Sequence, residues 1–243
     1  GGLDIALICD MAGRKREHAL GTNGVLKRLD MSKATIIGDG EYYVYAHWGG
    51  SQVVYSYPKD NVIGDHMFAG TKLESIVLPD NVTEIEYAAF WSCRELSNVA
   101  IPDGVKRIGQ FSFSSTLKLK SVTIPRSMNT IEKSAFSHAD GLTNIRIPGN
   151  IKAIEDGAFY GCKNLTSITI ENGLGNIGSS VFYECKNLER IVLPESVSSI
   201  GGSCFSGCDN LSYIKMPTAL YAFDDVFSHC SGLKNVVIPE GVT

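Results

Sequence analysis

With 243 residues, of which 44% are hydrophobic, the chain is long enough for a continuous core and far from the composition of a disordered protein. Its net charge of −4, with both signs interspersed, argues against nucleic-acid binding, which needs a clustered excess of lysine and arginine. No stretch reaches the roughly 18 uncharged apolar residues that a membrane span requires.

The chain opens with a predicted helical cap, residues 1–25. Asp4 can cap the start of a short helix, and Gly13 can end that helix in the left-handed conformation. The apolar side of such a helix would cover the first coil of a repeat array, as terminal caps must. Because Gly1-Gly2 looks like the remnant of a tag, we expect the natural leader and anchor to be missing from this sequence.

An aromatic-rich insertion is predicted at about residues 38–60, inside the opening coil that begins at Leu26. Its two apolar runs are separated by Gly49-Gly50-Ser51, a spacing that predicts a hairpin. Tyrosine and tryptophan on a protruding loop are typical of binding hot spots and sugar-stacking platforms. Their place next to the cap favours the alternative, that they pad the flank of the first coil. The candidate glycan- or partner-binding residues here are Tyr42, Tyr43, Tyr45, Trp48, Tyr55 and Tyr57.

One phrase then recurs eight times with a period of 22 or 23 residues. A fixed period in this range is typical of a solenoid, in which each coil buries its apolar edge against its neighbours. No linker interrupts the repeat, so residues 26–243 are predicted to form one solenoid domain. The phenylalanines that mark the copies are Phe68, Phe90, Phe113, Phe136, Phe159, Phe182, Phe205 and Phe227.

Each copy contains the pattern L-x-x-I-x-I, which ends in a period of two and predicts a short strand with alternate side chains inward. One strand per coil gives a parallel sheet. A proline follows the strand in every copy but one, where Glu171 replaces it. The next pattern, V-x-x-I, predicts a second short extended segment on the back, and the small-residue step before phenylalanine predicts a one-turn or 3₁₀ helix.

The whole pattern, L-x-x-I-x-I-P-x-x-V-x-x-I-x-x-x-A-F-x-x-C, resembles the BspA-type leucine-rich repeats of bacterial surface proteins. The resemblance runs from Phe68 to Thr243, and the signature itself already begins at Leu26. We therefore expect a leucine-rich-repeat solenoid of about nine coils, with a parallel sheet of short strands on the concave face. The last copy stops before its V-x-x-I is complete, so further repeats, a cap or a second copy of the chain are expected to cover it.

Five cysteines occupy the same repeat position, three residues after the phenylalanine. They are Cys93, Cys162, Cys185, Cys208 and Cys230. Stacked thiols form a column and do not converge on a point, so we interpret them as small buried side chains and predict no metal and no cofactor. The sequence also lacks a Ser/His/Asp or paired-carboxylate arrangement that the repeat would bring together, and we predict no catalytic residues and no enzyme activity.

The outward-facing strand residues are predicted to form the concave face, where solenoids usually bind their partners. In the C-terminal half this face carries a modest basic and aromatic patch. A protein or glycan with acidic groups would suit it, because arginine forks onto carboxylates and tyrosine supplies flat contact area. The alternative is ordinary solvated strand residues. The candidate partner-binding residues are Arg146, Arg190, Tyr213 and Lys215.

The resemblance implies a secreted or surface-displayed bacterial protein whose task is recognition. Proteins of this kind are linked to adhesion to host matrix proteins such as fibronectin and fibrinogen, and to coaggregation between cells. We accordingly expect a protein partner in the extracellular matrix or on another cell surface. Two alternatives stay open: a glycan-binding module that uses the insertion, and a rigid spacer that presents other domains.

Overall fold

The computed structural model describes residues 26–38, 43–46, 53–57, 59–218, 220 and 225–237. Here the chain forms a parallel-strand solenoid of about seven turns. The predicted cap lies outside the described residues, and the count of nine coils stays a prediction. The strands in chain order are β1 Arg28–Asp30, β2 Tyr43–Ala46, β3 Val53–Ser56, β4 Val62–Ile63, β5 Ser75–Val77, β6 Glu84–Ile85, β7 Asn98–Ala100, β8 Arg107–Ile108, β9 Thr130–Ile131, β10 Asn144–Ile147, β11 Ala153–Ile154, β12 Ser167–Ile170, β13 Asn176–Ile177, β14 Arg190–Val192, β15 Ser199–Ile200, β16 Tyr213–Lys215 and β17 Asn235–Val237.

The front strands are those formed by the L-x-x-I-x-I pattern: β1, β5, β7, β10, β12, β14, β16 and β17. They make two parallel sheets, in the orders β1-β5-β7 and β10-β12-β14-β16-β17. In β5, β10 and β14 the second residue, Ile76, Ile145 or Ile191, points into the core, and the residues on either side of it are exposed or partly exposed. This alternation follows the predicted period of two. We call the solvent-facing side of these strands the front face.

Glu171, the exception to the proline rule, lengthens the sheet locally. The strands β10 and β12 are four residues long and pair over all four. The backbone N–H of Glu171 then adds one more bond, to the carbonyl of Ile147 at 2.9 Å. A proline has no N–H to donate, so the corresponding bond to the preceding coil is absent at Pro102 and Pro194.

The back of each coil carries a strand of two residues that ends at the isoleucine of V-x-x-I. These strands are parallel and form two sheets, in the orders β4-β6-β8 and β9-β11-β13-β15. Their isoleucines, such as Ile85 and Ile154, are buried, and so are the valines three residues earlier, such as Val82. The core therefore lies between the front and back strands.

The helical turn predicted at the phenylalanine step is wrong for the described residues, which contain no helix. The step is a run of β-turns instead. The residues two before and two after each phenylalanine have positive φ, for example 54° at His66 and 70° at Gly70 around Phe68. A right-handed helix needs negative φ throughout, so it cannot pass these positions. A positive φ at the third residue of a turn is characteristic of type II turns.

These turns create a third hydrogen-bond ladder along the solenoid. In the coils from Phe68 to Phe205 the phenylalanine and the two positive-φ residues donate their N–H groups to the next coil. Phe68, for example, donates to Ala89 O at 2.8 Å, and Phe159 donates to Val181 O at 3.0 Å. The N–H groups between them bond within the turns. Both alternating sets of donors therefore have backbone partners, as buried N–H groups around the phenylalanines require.

The ladder at the turns continues where both sheets stop. No strand forms at residues 121–124, so the front sheet is interrupted between β7 and β10, and the back sheets separate between β8 and β9. At the same level Phe113 N–H still donates to Ala135 O at 2.8 Å. The guanidinium of Arg107 also crosses the gap to the carboxylate of Glu132, with N–O distances of 2.6 and 3.2 Å. The turns thus join the two halves of the solenoid.

The phenylalanines form a continuous stack in the core. Neighbouring rings have centroid distances of 5.1 to 5.8 Å and are within 13° of parallel. From Phe68 to Phe205 every ring is completely buried. Aromatic pairs in this arrangement add about 0.5–1.5 kcal/mol beyond the burial of their area. The stack is therefore a large contribution to stability that each coil shares with both neighbours.

The predicted hairpin of the insertion is present as β2 and β3. These strands are antiparallel, with Tyr43 opposite Ser56 and Tyr45 opposite Val54. Tyr42 and Trp48 lie outside the described residues. Tyr57, which follows β3, is 57% exposed.

Candidate binding face

The four residues predicted on the concave face lie on three front strands. Arg146 is in β10, Arg190 is in β14, and both Tyr213 and Lys215 are in β16. The strands β14 and β16 are neighbours, with Arg190 opposite Tyr213. Arg146 is separated from them by β12. The structure therefore brings Arg190, Tyr213 and Lys215 together and places Arg146 to one side.

Arg146 forms an ion pair that the sequence analysis did not identify. Its Nε donates to Oε1 of Glu171 at 2.7 Å, and Arg126 lies 3.8 Å from the same carboxylate. The Gly149 N–H, which donates to Glu171 at 2.9 Å, and the Arg146 side chain lower the pKa of Glu171. Glu171 is therefore ionised at neutral pH and offsets the charge of Arg146. The replaced proline was the available signal, since it put a carboxylate at the end of the neighbouring strand.

Lys215 is paired as well. Its Nζ lies 3.2 Å from Oε1 of Glu195. The pKa of Glu195 is lowered, first by the backbone N–H and hydroxyl of Thr218 and then by Lys215. Both groups of this pair are about half exposed, so the pair stabilises the fold little but still neutralises the lysine.

Arg190 has a different environment. Its guanidinium carbon lies 4.9 Å from the ring centroid of Tyr213, a cation–π contact that fixes the side chain against the ring. Among the described residues no carboxylate lies within ion-pair distance of it. Within the described structure, Arg190 is thus the predicted front-face cation whose N–H donors remain available to a binding partner.

A groove opens beside Arg190. The strands β12 and β14 pair at Ser167 and Arg190 alone, whereas β14 and β16 pair over three residues. Beyond that single pair lies a space open to solvent, with a cavity volume of ≈ 320 Å³. Its lining residues are Ser167, Ile168, Thr169, Ile170, Arg190, Ile191, Val192 and Pro194. Val192 is 48% exposed there. The repeat pattern is the same in both coils, so the sequence gives no sign of this groove.

Comparison with known proteins identifies the repeat. The sequence matches the BspA type Leucine rich repeat region over residues 61–163 and 129–243, with six copies. The chain belongs to the BspA-type leucine-rich repeat family. No curated protein matches the sequence significantly. The solenoid of this family is typically a non-enzymatic fold.

Solved structures of leucine-rich repeat proteins have the same fold. A leucine-rich repeat protein from Bacteroides ovatus ATCC 8483 is 28% identical with a TM-score of 0.70, and the match covers 84% of this chain and 59% of that one. One from Eubacterium ventriosum ATCC 27560 is 21% identical with a TM-score of 0.61, covering 74% and 59%. The T. pallidum Leucine Rich Repeat protein is 24% identical with a TM-score of 0.50, covering 82% and 79%. The chain thus spans 59% of the length of the first two proteins.

In this BspA-type repeat the cysteine column serves packing. Cys162 Sγ donates to the carbonyl of Phe136 at 3.1 Å, and Cys185 Sγ donates to that of Phe159 at 3.3 Å. The same bond to the carbonyl of the phenylalanine in the preceding coil recurs for Cys93, Cys208 and Cys230. Among the described residues no cysteine is in a disulfide, and no cluster of His, Cys, Asp and Glu could hold a metal ion.

The buried thiols should resist alkylation. Burial raises the pKa of Cys162 and of Cys204 to about 12, and it raises the pKa of Cys185 well above its ordinary value. The reactive thiolate is therefore scarce at pH 8. We expect iodoacetamide to leave these cysteines unmodified in the native chain and to label them in urea, as read by peptide mass spectrometry. Cys230, which is only half-buried, should react first among the described cysteines. Equal labelling of Cys185 and Cys230 would contradict the packing described here.

Among the residues that the structure describes, no helix is long and apolar enough to cross a bilayer.

Proposed function

We propose that this chain is a non-catalytic recognition module of a secreted or surface-displayed bacterial protein, and that it binds a protein partner through the front face. The bacterial origin is supported by the organisms of the similar solved structures. The family resemblance favours an adhesive role, with a partner in the extracellular matrix or on another cell. The chain then acts by presenting a surface rather than by chemistry.

The observation that carries this proposal is the exposed front face itself. Successive coils place side chains side by side on it, about 4.8 Å apart along the solenoid. Its central row has exposed residues of mixed character, apolar, polar and charged. This row consists of Val77, Ala100, Thr123, Arg146, Thr169, Val192 and Lys215. A regular, rigid surface of this kind needs little ordering when it binds, which favours affinity.

The test is to block each face separately. Residues Thr169 on the front and Asn176 on the back are both exposed. Each is changed to cysteine in a background with Cys9→Ala and Cys230→Thr, because threonine already occupies the column at Thr116. The new thiols are then coupled to a polyethylene glycol chain. The two labelled proteins differ in the blocked face alone.

The binding measurement uses immobilised fibronectin and fibrinogen, each before and after deglycosylation. We expect saturable binding that the front label abolishes and the back label leaves unchanged. Binding that survives the front label would overturn the proposed contact through the front face. No binding to any of these proteins would overturn the adhesive role.

A glycan-binding role through the insertion is the second candidate, and the hairpin of β2 and β3 with its tyrosines favours it. In that case binding would be lost on deglycosylation and in a Tyr45→Ala, Trp48→Ala variant, and the front label would have no effect. If neither the front label nor this variant matters, the spacer interpretation takes precedence.

A further inference from the structure

We propose that the groove between β12 and β14 binds an extended acidic segment of a protein partner, with a carboxylate on Arg190 and an adjacent apolar side chain against Val192. This inference rests on the proposed function and specifies the chemistry of the partner at one place on the front face. Three observations support it: the interrupted strand pairing, the exposed apolar lining and the availability of the Arg190 guanidinium.

The groove coincides with a change in the pairing of the front strands. From β10 to β12 the register is complete over four residues, but from β12 to β14 it consists of Ser167 opposite Arg190. The groove of ≈ 320 Å³ lies where the pairing is lost. This is near the lower end of the volumes of ligand pockets, about 300–1,000 Å³. It therefore suits one or two side chains of a segment that lies across the face, rather than a large enclosed ligand.

The lining of the groove is apolar beside a charged rim. Val192 is nearly half exposed, and Ile170 and Pro194 are partly exposed next to it. Solvent-exposed apolar surface surrounded by polar groups is typical of a contact site for another molecule. An apolar side chain of the partner would release water from all three residues. The partner segment is therefore expected to carry an apolar side chain next to its carboxylate.

Charge complementarity identifies the acidic feature. Arg146 and Lys215 are offset by Glu171 and Glu195, whereas Arg190 pairs with no carboxylate among the described residues. Arg190 is one of the residues that line the groove, and the contact with Tyr213 of β16 orders its guanidinium. An arginine held in place presents parallel N–H donors that match the two oxygens of a carboxylate. The partner is therefore expected to supply that carboxylate.

A sugar fits this place less well than a peptide does. Sugar recognition commonly uses an open aromatic face, and Tyr213, the aromatic residue of the described front strands, has Arg190 over its ring. An extended peptide alternates its side chains, so a carboxylate and an apolar group two residues apart lie on the same side. Their spacing of roughly 6–7 Å follows from the strand rise and suits Arg190 and Val192, which are also two residues apart on β14.

The experiment uses two fluorescent octapeptides, both blocked at their termini. The acidic probe consists of the sequence Asp-Asp-Leu-Leu written twice. In this sequence each aspartate has a leucine two positions away, so a carboxylate and an apolar side chain lie on the same side of the extended peptide. The neutral probe replaces each aspartate by asparagine. Binding to the full chain is followed by fluorescence anisotropy at low and at physiological salt. We expect the acidic probe to bind at least tenfold more tightly than the neutral one.

Variants of the chain then locate the site. We expect Arg190→Gln to weaken binding of the acidic probe at least tenfold, and Val192→Asp to abolish it. Both residues are exposed, so both variants should retain the urea midpoint of the parent. The matched control is Arg94→Gln, which removes the same charge from an exposed arginine outside the front strands.

The outcomes separate this inference from the proposed function. No binding of the acidic probe at millimolar concentration, or equal binding by the parent and the Arg190→Gln chain, would overturn the groove proposal. If the front label on Thr169→Cys still abolishes binding of a matrix protein in that case, the front face remains the binding surface. If the label has no effect either, both proposals fail.

Discussion

Replacing Phe159 by alanine is expected to lower the free energy of unfolding by about 3–5 kcal/mol, the range for a buried phenylalanine that leaves a cavity. Its ring is completely buried and stacks between Phe136 and Phe182, at centroid distances of 5.5 and 5.7 Å. The neighbouring coils hold their own phenylalanines in place through backbone bonds, so the space cannot collapse easily. The cavity is therefore expected to persist.

Urea unfolding followed by circular dichroism measures this loss. With a slope of about 1–3 kcal/mol per molar urea, the midpoint should fall by more than about 1 M. The matched control is Tyr160→Ala, because Tyr160 is the next residue, is only partly buried and stacks on Tyr183 at 4.9 Å. Its midpoint should change much less. Similar shifts for both variants would show that the phenylalanine stack is not a principal source of stability.

The sequence predicted the front strands and their buried ladder because one rule, a period of two within each coil, governs both. It did not predict the turns around the phenylalanines. Glycine marks the positive-φ positions in some coils, such as Gly157 and Gly161, but Ser180 and Glu184 occupy the same positions in the next coil. Hydrogen bonds to the neighbouring coil hold these residues in a conformation that their own side chains do not favour.

Nothing in the local sequence marks the place where the sheets are interrupted. Residues Ser121-Val122-Thr123-Ile124-Pro125 follow the repeat as closely as the segments that do form strands. Pairing depends on how two whole coils lie against each other, which a repeat pattern does not specify. The periodic pattern therefore defines which side chains point inward and leaves the continuity of each sheet open.

For the candidate site, the sequence identified the positions but not their electrostatic state. Arg146, Arg190 and Lys215 were predicted on one face, and they lie on front strands. Which of them is available depends on carboxylates from other parts of the repeat, Glu171 and Glu195. These pairs arise between coils, at separations that are not multiples of the repeat. The groove depends in the same way on the relative position of two coils.

Substitutions at two glycines, Gly201 and Gly104, test whether the repeat pattern alone predicts which positions tolerate a side chain. Glu86, Glu132 and Glu155 occupy the repeat position of Gly201, so alignment of the copies suggests that a side chain is tolerated there. The structure indicates the opposite. A Cβ on Gly201 would lie 2.4 Å from the backbone nitrogen of Ser179 and 2.6 Å from the carbonyl carbon of Gly178.

We therefore expect Gly201→Ala to lower the free energy of unfolding by about 1–3 kcal/mol, since backbone of the preceding coil has to move. The Gly201 N–H also donates to Ile177 O at 2.8 Å, which opposes that movement. In Gly104→Ala, the matched control, the nearest atom to the new Cβ is Val82 O at an ordinary 3.7 Å. This change should be neutral or stabilise by about 0.4–1 kcal/mol, because alanine restricts the unfolded chain. If both variants have the same urea midpoint as the parent, the coils around Gly201 are less closely packed than the structure indicates.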